Sequence, residues 1–272
     1  MGWLRRFGKA LFMETREHKS SFAVYTVLRL LVIATFVMQL IWGNNESAFL
    51  CILILLLLIV PSLVQVTLRI ELPVVLEITL LLFIFAAELL GEIYEFYIIF
   101  PFWDTLLHTL NGFLMAAIGF SLVNLLNRSD KMLFQLSPFF TVVVAFCFSM
   151  TIGAVWEIFE FAMDVLFQFD MQKDTVMHQI STVTLDPTGG NTPVILKDIT
   201  DMAVNGESVG LGGYLDIGLY DTMYDLIVNF IGAAVFSVFG YIYVKNQGKS
   251  AVLHKLIPTR KDKEKEYLNA TK

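Results

Sequence analysis

Apolar residues crowd into six stretches of the chain, 22–42, 47–66, 73–99, 104–126, 138–168 and 219–244. Each is long enough to cross about 30 Å of hydrocarbon at about 1.5 Å of rise per helical residue. The pattern predicts an all-α polytopic membrane bundle of six transmembrane helices. Pro73 and Pro138 stand at the starts of two stretches, where a missing N–H costs little, and Pro101 precedes a third. Pro61 falls inside the second and is expected to kink it. The 73–99 and 138–168 stretches exceed the spanning minimum, so each is expected to tilt or to project past the bilayer. Residues 1–21 are polar and basic, and no small-residue cleavage pattern follows the first apolar run, which reads as an uncleaved span rather than a signal peptide.

Composition excludes the soluble and disordered alternatives. Of 272 residues, 56% are hydrophobic and 16% charged, and the mean hydropathy is +0.68, whereas soluble domains run at roughly 45–50% apolar and about 25% charged. Cys51 and Cys147 both lie in apolar runs, so neither a disulfide framework nor a metal knuckle is expected.

The placement of Lys and Arg orients the bundle. Five occupy the N-terminal tail, Arg69 the 67–72 turn, Arg128 and Lys131 the 127–137 turn, and eight the segment from Lys245 onward. The 43–46 and 100–103 turns have none, and the 169–218 connection has only Lys173 and Lys197 against seven acids. Both termini are therefore expected on the cytoplasmic side of a bacterial-type inner membrane, with one long extracytoplasmic loop between helices 5 and 6. The domain plan is a basic N-tail (1–21), a single six-helix membrane domain (22–244) that includes the loop, and a charged tail (245–272). Asp186-Pro-Thr-Gly-Gly and Gly210, Gly212 and Gly213 make the loop turn-rich and partly strand. A connector of that length is usually functional or disordered. The charge run 260–266 reads as a solvated tail.

Ionisable residues inside spans are costly and normally face the bundle interior, which makes each a functional candidate. Here they recur at helical spacing. Span 3 carries Glu88, Glu92 and Glu95; span 4 carries Asp104, His108 and Asn111; span 5 carries Glu157, Glu160 and Asp164; span 6 carries Asp221, Asp225 and Asn229. Each set forms one stripe of its helix. With spans 3 and 5 running outward and spans 4 and 6 inward, all four stripes fall in the outer half of the membrane. Nine carboxylates and one imidazole without a Lys or Arg among them need shared protons or a bound cation. Hard oxygen ligands with one imidazole suit a divalent metal ion, its identity left open, and four-helix carboxylate–His cages are a known way to hold one. The metal candidates are Glu88, Glu92, Asp104, His108, Glu157, Glu160, Asp164, Asp221 and Asp225, with Asn111 and Asn229 as supporting polar groups.

Plainer roles compete at several of these positions. Glu95, Asp104 and Asp221 could sit in the wet interface, the last two as helix N-terminal caps or dipole partners. Asn111 and Asn229 could be interhelical glue. Arg29 and Glu77 read as a structural ion pair or as snorkelling groups. Gly112, Ala116, Gly119, Gly153, Ala154 and Gly232-Ala233-Ala234 read as close helix contacts, and His178 as a solvated loop residue.

Three blocks carry a family resemblance: Asp104-Thr-Leu-Leu-His108 followed by Gly112, then Val155-Trp156-Glu157-Ile-Phe-Glu160, then Asp221-Thr-Met-Tyr-Asp225 ending in Ile231-Gly232-Ala233. In this order they resemble the YjdF-like inner-membrane proteins. The chain departs from that pattern in Glu88-Leu-Leu-Gly-Glu92, which replaces a more His- and Tyr-rich stretch, and in its longer outer loop. The resemblance implies a shared intramembrane site but supplies no reaction.

Three uses of such a site stay open. One is cation binding, with transport as its purpose and proton exchange balancing charge. Another is a metal-dependent intramembrane enzyme acting on an outer-leaflet substrate; against it, no HExxH, GxSxG or comparable signature occurs. The third is a noncatalytic sensor or assembly protein with a structural metal or proton site. The partners expected are the lipid bilayer and an inorganic cation, not nucleic acid.

Overall fold

The computed structural model describes residues 3–127, 136–246, 255–262 and 265–270. Arg128 and Lys131, counted above for orientation, lie outside the described residues, as do Lys263 and Glu264 of the charge run. Six helices are long and apolar enough to cross a membrane: Lys19–Trp42, Asn45–Leu68, Val74–Ile93, Trp103–Asn127, Pro138–Phe167 and Leu219–Lys245. They match the six apolar stretches to within a few residues at most ends, because uninterrupted apolar sequence leaves the backbone no partner but itself. Large side chains such as Ile41, Leu166 and Val238 stay exposed on them.

A short helix, α1 (Trp3–Glu14), precedes the first span, α2 (Lys19–Trp42). Gly43 ends α2 in the left-handed region at φ +74°, a conformation that costs glycine least. Asn44 then accepts a 3.0 Å hydrogen bond from the Ser47 N–H and caps α3 (Asn45–Leu57).

Pro61 does more than kink the second span. α3 stops at Leu57, and α4 (Val60–Leu68) begins with Pro61 in its first turn. The proline ring clashes with the carbonyl four residues earlier and offers it no N–H. The strand β1 (Ile70–Glu71) follows.

The third stretch departs from a single long helix. α5 (Val74–Ile84) passes into a π-helical segment, Phe85–Ile93, after which Glu95 turns left-handed at φ +58° and a short α6 (Phe96–Ile99) starts. The break follows from packing: Tyr97 folds back against Gly91, where a Cβ would overlap its ring.

α7 (Trp103–Asn127) and α8 (Pro138–Phe167) are the next two spans. Ser137 accepts the Phe140 N–H at 3.2 Å, and Pro138 occupies the first helical position, where its fixed φ suits the helix.

The described residues form two compact units, 1–152 with 228–272, and 153–227. Within the first, one core joins Ala116, Ala117 and Phe120 of α7 to Val142 and Ala145 of α8. Ala233 and Phe236 of the last span, α9 (Leu219–Lys245), and Ile257 beyond it complete it. A second core packs Leu28 and Val32 against Cys51, Ile54, Leu81 and Leu89. Cys51 and Cys147 are free thiols.

Within the second unit, the 169–218 connection is ordered into three antiparallel strand pairs. β2 (Thr175–Met177) pairs with β7 (Tyr214–Asp216), β3 (Ile180–Thr182) with β4 (Val194–Leu196), and β5 (Ala203–Val204) with β6 (Glu207–Ser208). Asn205 and Gly206 make the β5–β6 turn, both at positive φ, as a two-residue primed turn requires.

The run 260–266 is not wholly solvated. β8 (Thr259–Arg260) pairs antiparallel with β1, Lys261 donates its N–H to the Arg69 carbonyl at 3.1 Å, and α10 (Tyr267–Ala270) ends the described chain. Lys261 is only 3% exposed. Its ammonium bonds Glu14 and lies 2.8 Å from Glu17. A cation removed from water needs such partners.

Candidate functional site

α7 enters through Trp103, whose indole N–H donates to the Ala86 carbonyl at 3.2 Å and fastens the helix start to the π-helical segment. One residue later, Asp104 lies in the first turn, where the helix dipole favours negative charge. His108 follows one turn on. Its Nε2 stands 3.4 Å from Asp104 Oδ1, too long for a strong hydrogen bond. Two ligand atoms each about 2.1 Å from a tetrahedral ion stand roughly 3.4 Å apart, so one cation fits this bite. His108 is nearly buried, while about a third of the Asp104 side chain meets solvent.

One turn further, α7 is tied to α9. Asn111 Nδ2 donates to Asn229 Oδ1 at 3.0 Å, and Asn229 Nδ2 points at the Met150 sulfur at 3.5 Å. Ser149 of α8 donates to the Gly112 carbonyl at 2.7 Å. Two glycines allow this approach. A Cβ on Gly112 would run into the Asn229 carbonyl, and one on Gly232 into the Thr109 carbonyl. Gly119 faces Phe148 in the same manner. Gly112 meets Asn229 and Phe120 meets Gly240, so the contacts advance together and α7 and α9 run parallel.

Glu88 is 3% exposed within the π-helical segment, a type of segment frequent at functional sites. Its Oε2 has no hydrogen-bond partner among the described residues. Glu92, one turn later, is half-buried. Glu77 and Arg29 do not pair with each other in the hydrogen bonds described. Gln65 donates to Glu77 Oε1 at 3.3 Å, and the Arg29 guanidinium lies over the Tyr25 ring.

Within the second unit the acids divide by duty. Glu157 and Asp225 are buried. Glu160, also buried, accepts the Trp156 indole N–H at 2.9 Å. Asp164 accepts the backbone N–H groups of Met171 and Gln172 at 2.7 and 2.9 Å. Asp221 accepts that of Lys173 at 2.8 Å. Those last two carboxylates fasten the ends of α8 and α9 to the strand-bearing connection, a role that spacing alone did not reveal. His178 is exposed, its Nδ1 3.0 Å from the Ile199 carbonyl.

The sequence reading also passed over a second charged cluster. Glu14 ends the helix α1 and Glu17 follows three residues later in the turn before α2, that spacing being the one signal available, and both meet Lys261 from the far end of the chain. Burial lifts the Glu14 carboxyl from 4.5 to about 7, against the pull of Lys261. Burial also opposes ionisation of Glu17, but hydrogen bonds from Lys261 and Lys265 outweigh it and hold that carboxyl below its usual value.

Residues 24–246 match the model of the family DUF2238, described as a predicted membrane protein. The chain belongs to this family. Its six long apolar helices make it a multi-pass membrane protein of that family. No curated protein and no solved structure matches the chain.

Proposed function

We propose that this member of the DUF2238 family binds a divalent cation within the membrane, with Asp104, His108 and Asp225 as its ligands. The observation that carries the reading is the parallel register of α7 and α9. His108 lies three residues before Asn111, and Asp225 lies four before Asn229 on one unbroken helix. Two carboxylates and an imidazole suit Zn²⁺, Mn²⁺ or Fe²⁺ and leave a position open. The Asn111–Asn229 bond and the glycine contacts would hold the two helices in that register.

Charge supports the same reading. Among the polar stripes of the spans there is no Lys or Arg, so crowded carboxylates need a cation or shared protons to stay in a low dielectric. Glu88, Glu92, Glu157 and Glu160 serve here as the acids that trade protons for ion charge, and Asp164 and Asp221 as carboxylates at the mouth. The excess of Lys and Arg in the two tails supports a cytoplasmic placement for both, with the strand-bearing connection outside.

Elemental analysis of purified protein tests the binding. The protein is expected to carry near-stoichiometric metal that Asp104→Asn, His108→Ala and Asp225→Asn each release, and a metal-free wild type with unaltered variants would overturn the proposal. Flux into proteoliposomes separates carriage of the ion from its retention.

A further inference from the structure

We propose that α1 lies on the surface of the membrane and binds the headgroups of anionic lipid through its outward face. The inner face of the helix is fixed by Ala10 and Glu14, both buried, and by the bond from Lys261 to Glu14. At about 100° per residue, the opposite face carries Leu4, Gly8 and Phe12 in one row and Arg5 and Lys9 in the row beside it. Leu4 is 78% exposed and Phe12 58%. Arg16, just past the helix, holds its guanidinium 4.4 Å above the Phe12 ring and 5.2 Å above Phe22. No acid shares this face: Glu14 and Glu17 both turn to Lys261.

An apolar row beside a basic row is the arrangement by which a helix beds its side chains at the boundary of headgroups and acyl chains. Its position fits that surface. Only residues 15–18 separate α1 from α2, so the outward face lies next to where the first span enters the bilayer. Water is a poor partner for exposed Leu4 and Phe12, and a neutral bilayer gives Arg5, Lys9 and Arg16 no counter-charge. An anionic bilayer satisfies both rows. Each basic side chain at such a surface shifts the bound population about fivefold, so three shift it roughly a hundredfold.

The test is amide hydrogen exchange of residues 3–16 in the full-length protein. It compares nanodiscs of phosphatidylcholine alone with nanodiscs containing added phosphatidylglycerol. Exchange is expected to slow by one to two orders of magnitude in the anionic discs, and that gain is expected to vanish in high salt, where charges on an exposed surface are screened. Arg5→Gln with Lys9→Gln is expected to lose most of it. The salt titration needs no variant, so it stands even if the double substitution unfolds α1. Equal exchange in the two kinds of disc, or a gain that high salt leaves intact, would overturn the proposal.

Discussion

Replacing Glu14 by glutamine removes one charge from the cluster that fastens the C-terminal segment, and the structure fixes how that should change with pH. The Glu14 carboxyl is held at about 7 against an ordinary 4.5. A carboxyl raised on docking makes docking take up a proton, so the docked state weakens as pH rises from about 4.5 to 7 and is level above that. At 1.36 kcal/mol per unit, the loss amounts to roughly 3 kcal/mol, or about a hundredfold in the docked population. Glu17 works in the other sense. Its lowered carboxyl contributes stability present above the ordinary value and lost as pH falls below it. Docking of residues 259–261 should therefore be firmest near pH 4.5, the one region where Glu14 has not yet lost its advantage and Glu17 is not yet losing its own. The assay is amide protection of these residues in the full-length protein, corrected for intrinsic exchange, from pH 5 to pH 8. The wild type should lose about two orders of magnitude of protection across that range, and Glu14→Gln should flatten the profile. Protection that rises with pH, or a slope that survives Glu14→Gln, would refute the reasoning.

Other perturbations probe the helix contacts and the connection. Gly232→Leu drives a side chain into the Thr109 carbonyl and should cost about 1–3 kcal/mol, read as a lower thermal midpoint in detergent; an unchanged midpoint would contradict the close α7–α9 contact. Asn229→Leu removes the 3.0 Å bond to Asn111 and should cost roughly 1 kcal/mol by the same measurement, the size usual for interhelical hydrogen bonds in membranes. Asp164→Asn takes the charge from two backbone hydrogen bonds to Met171 and Gln172. It should cost about 1–2 kcal/mol locally, seen as faster proteolysis within 169–173, with the helices still protected.

Much of this architecture was legible in the chain because the bilayer imposes a length and a polarity that sequence records directly. The six spans and the turn-rich, partly stranded connection follow from apolar runs and from glycine, proline and aspartate placement. What escaped depends on partners distant in sequence. The break after Ile93 arises from the Tyr97 ring closing over Gly91, and the neighbourhood 88–95 reads equally well as one helix. Lys261 looked solvated because its local sequence is all charge, yet it is buried against two glutamates about 250 residues away. In the spans, the i, i+4 stripes named the polar residues but not their neighbours. The parallel pairing of α7 and α9 depends on where Gly112 and Gly232 let two backbones meet. The loop-fastening work of Asp164 and Asp221 needs the backbone N–H groups of residues 171–173, whose positions no side-chain pattern encodes.

The cation site is the central claim, and an anomalous-scattering map of protein crystallised with Mn²⁺ tests it most directly. A single strong peak is predicted about 2.1–2.3 Å from a carboxylate oxygen of Asp104, the nearer imidazole nitrogen of His108 and a carboxylate oxygen of Asp225. The same crystals of His108→Ala should lack it. A map with no peak beside these three side chains, or a peak that persists unchanged without the imidazole, would contradict the account.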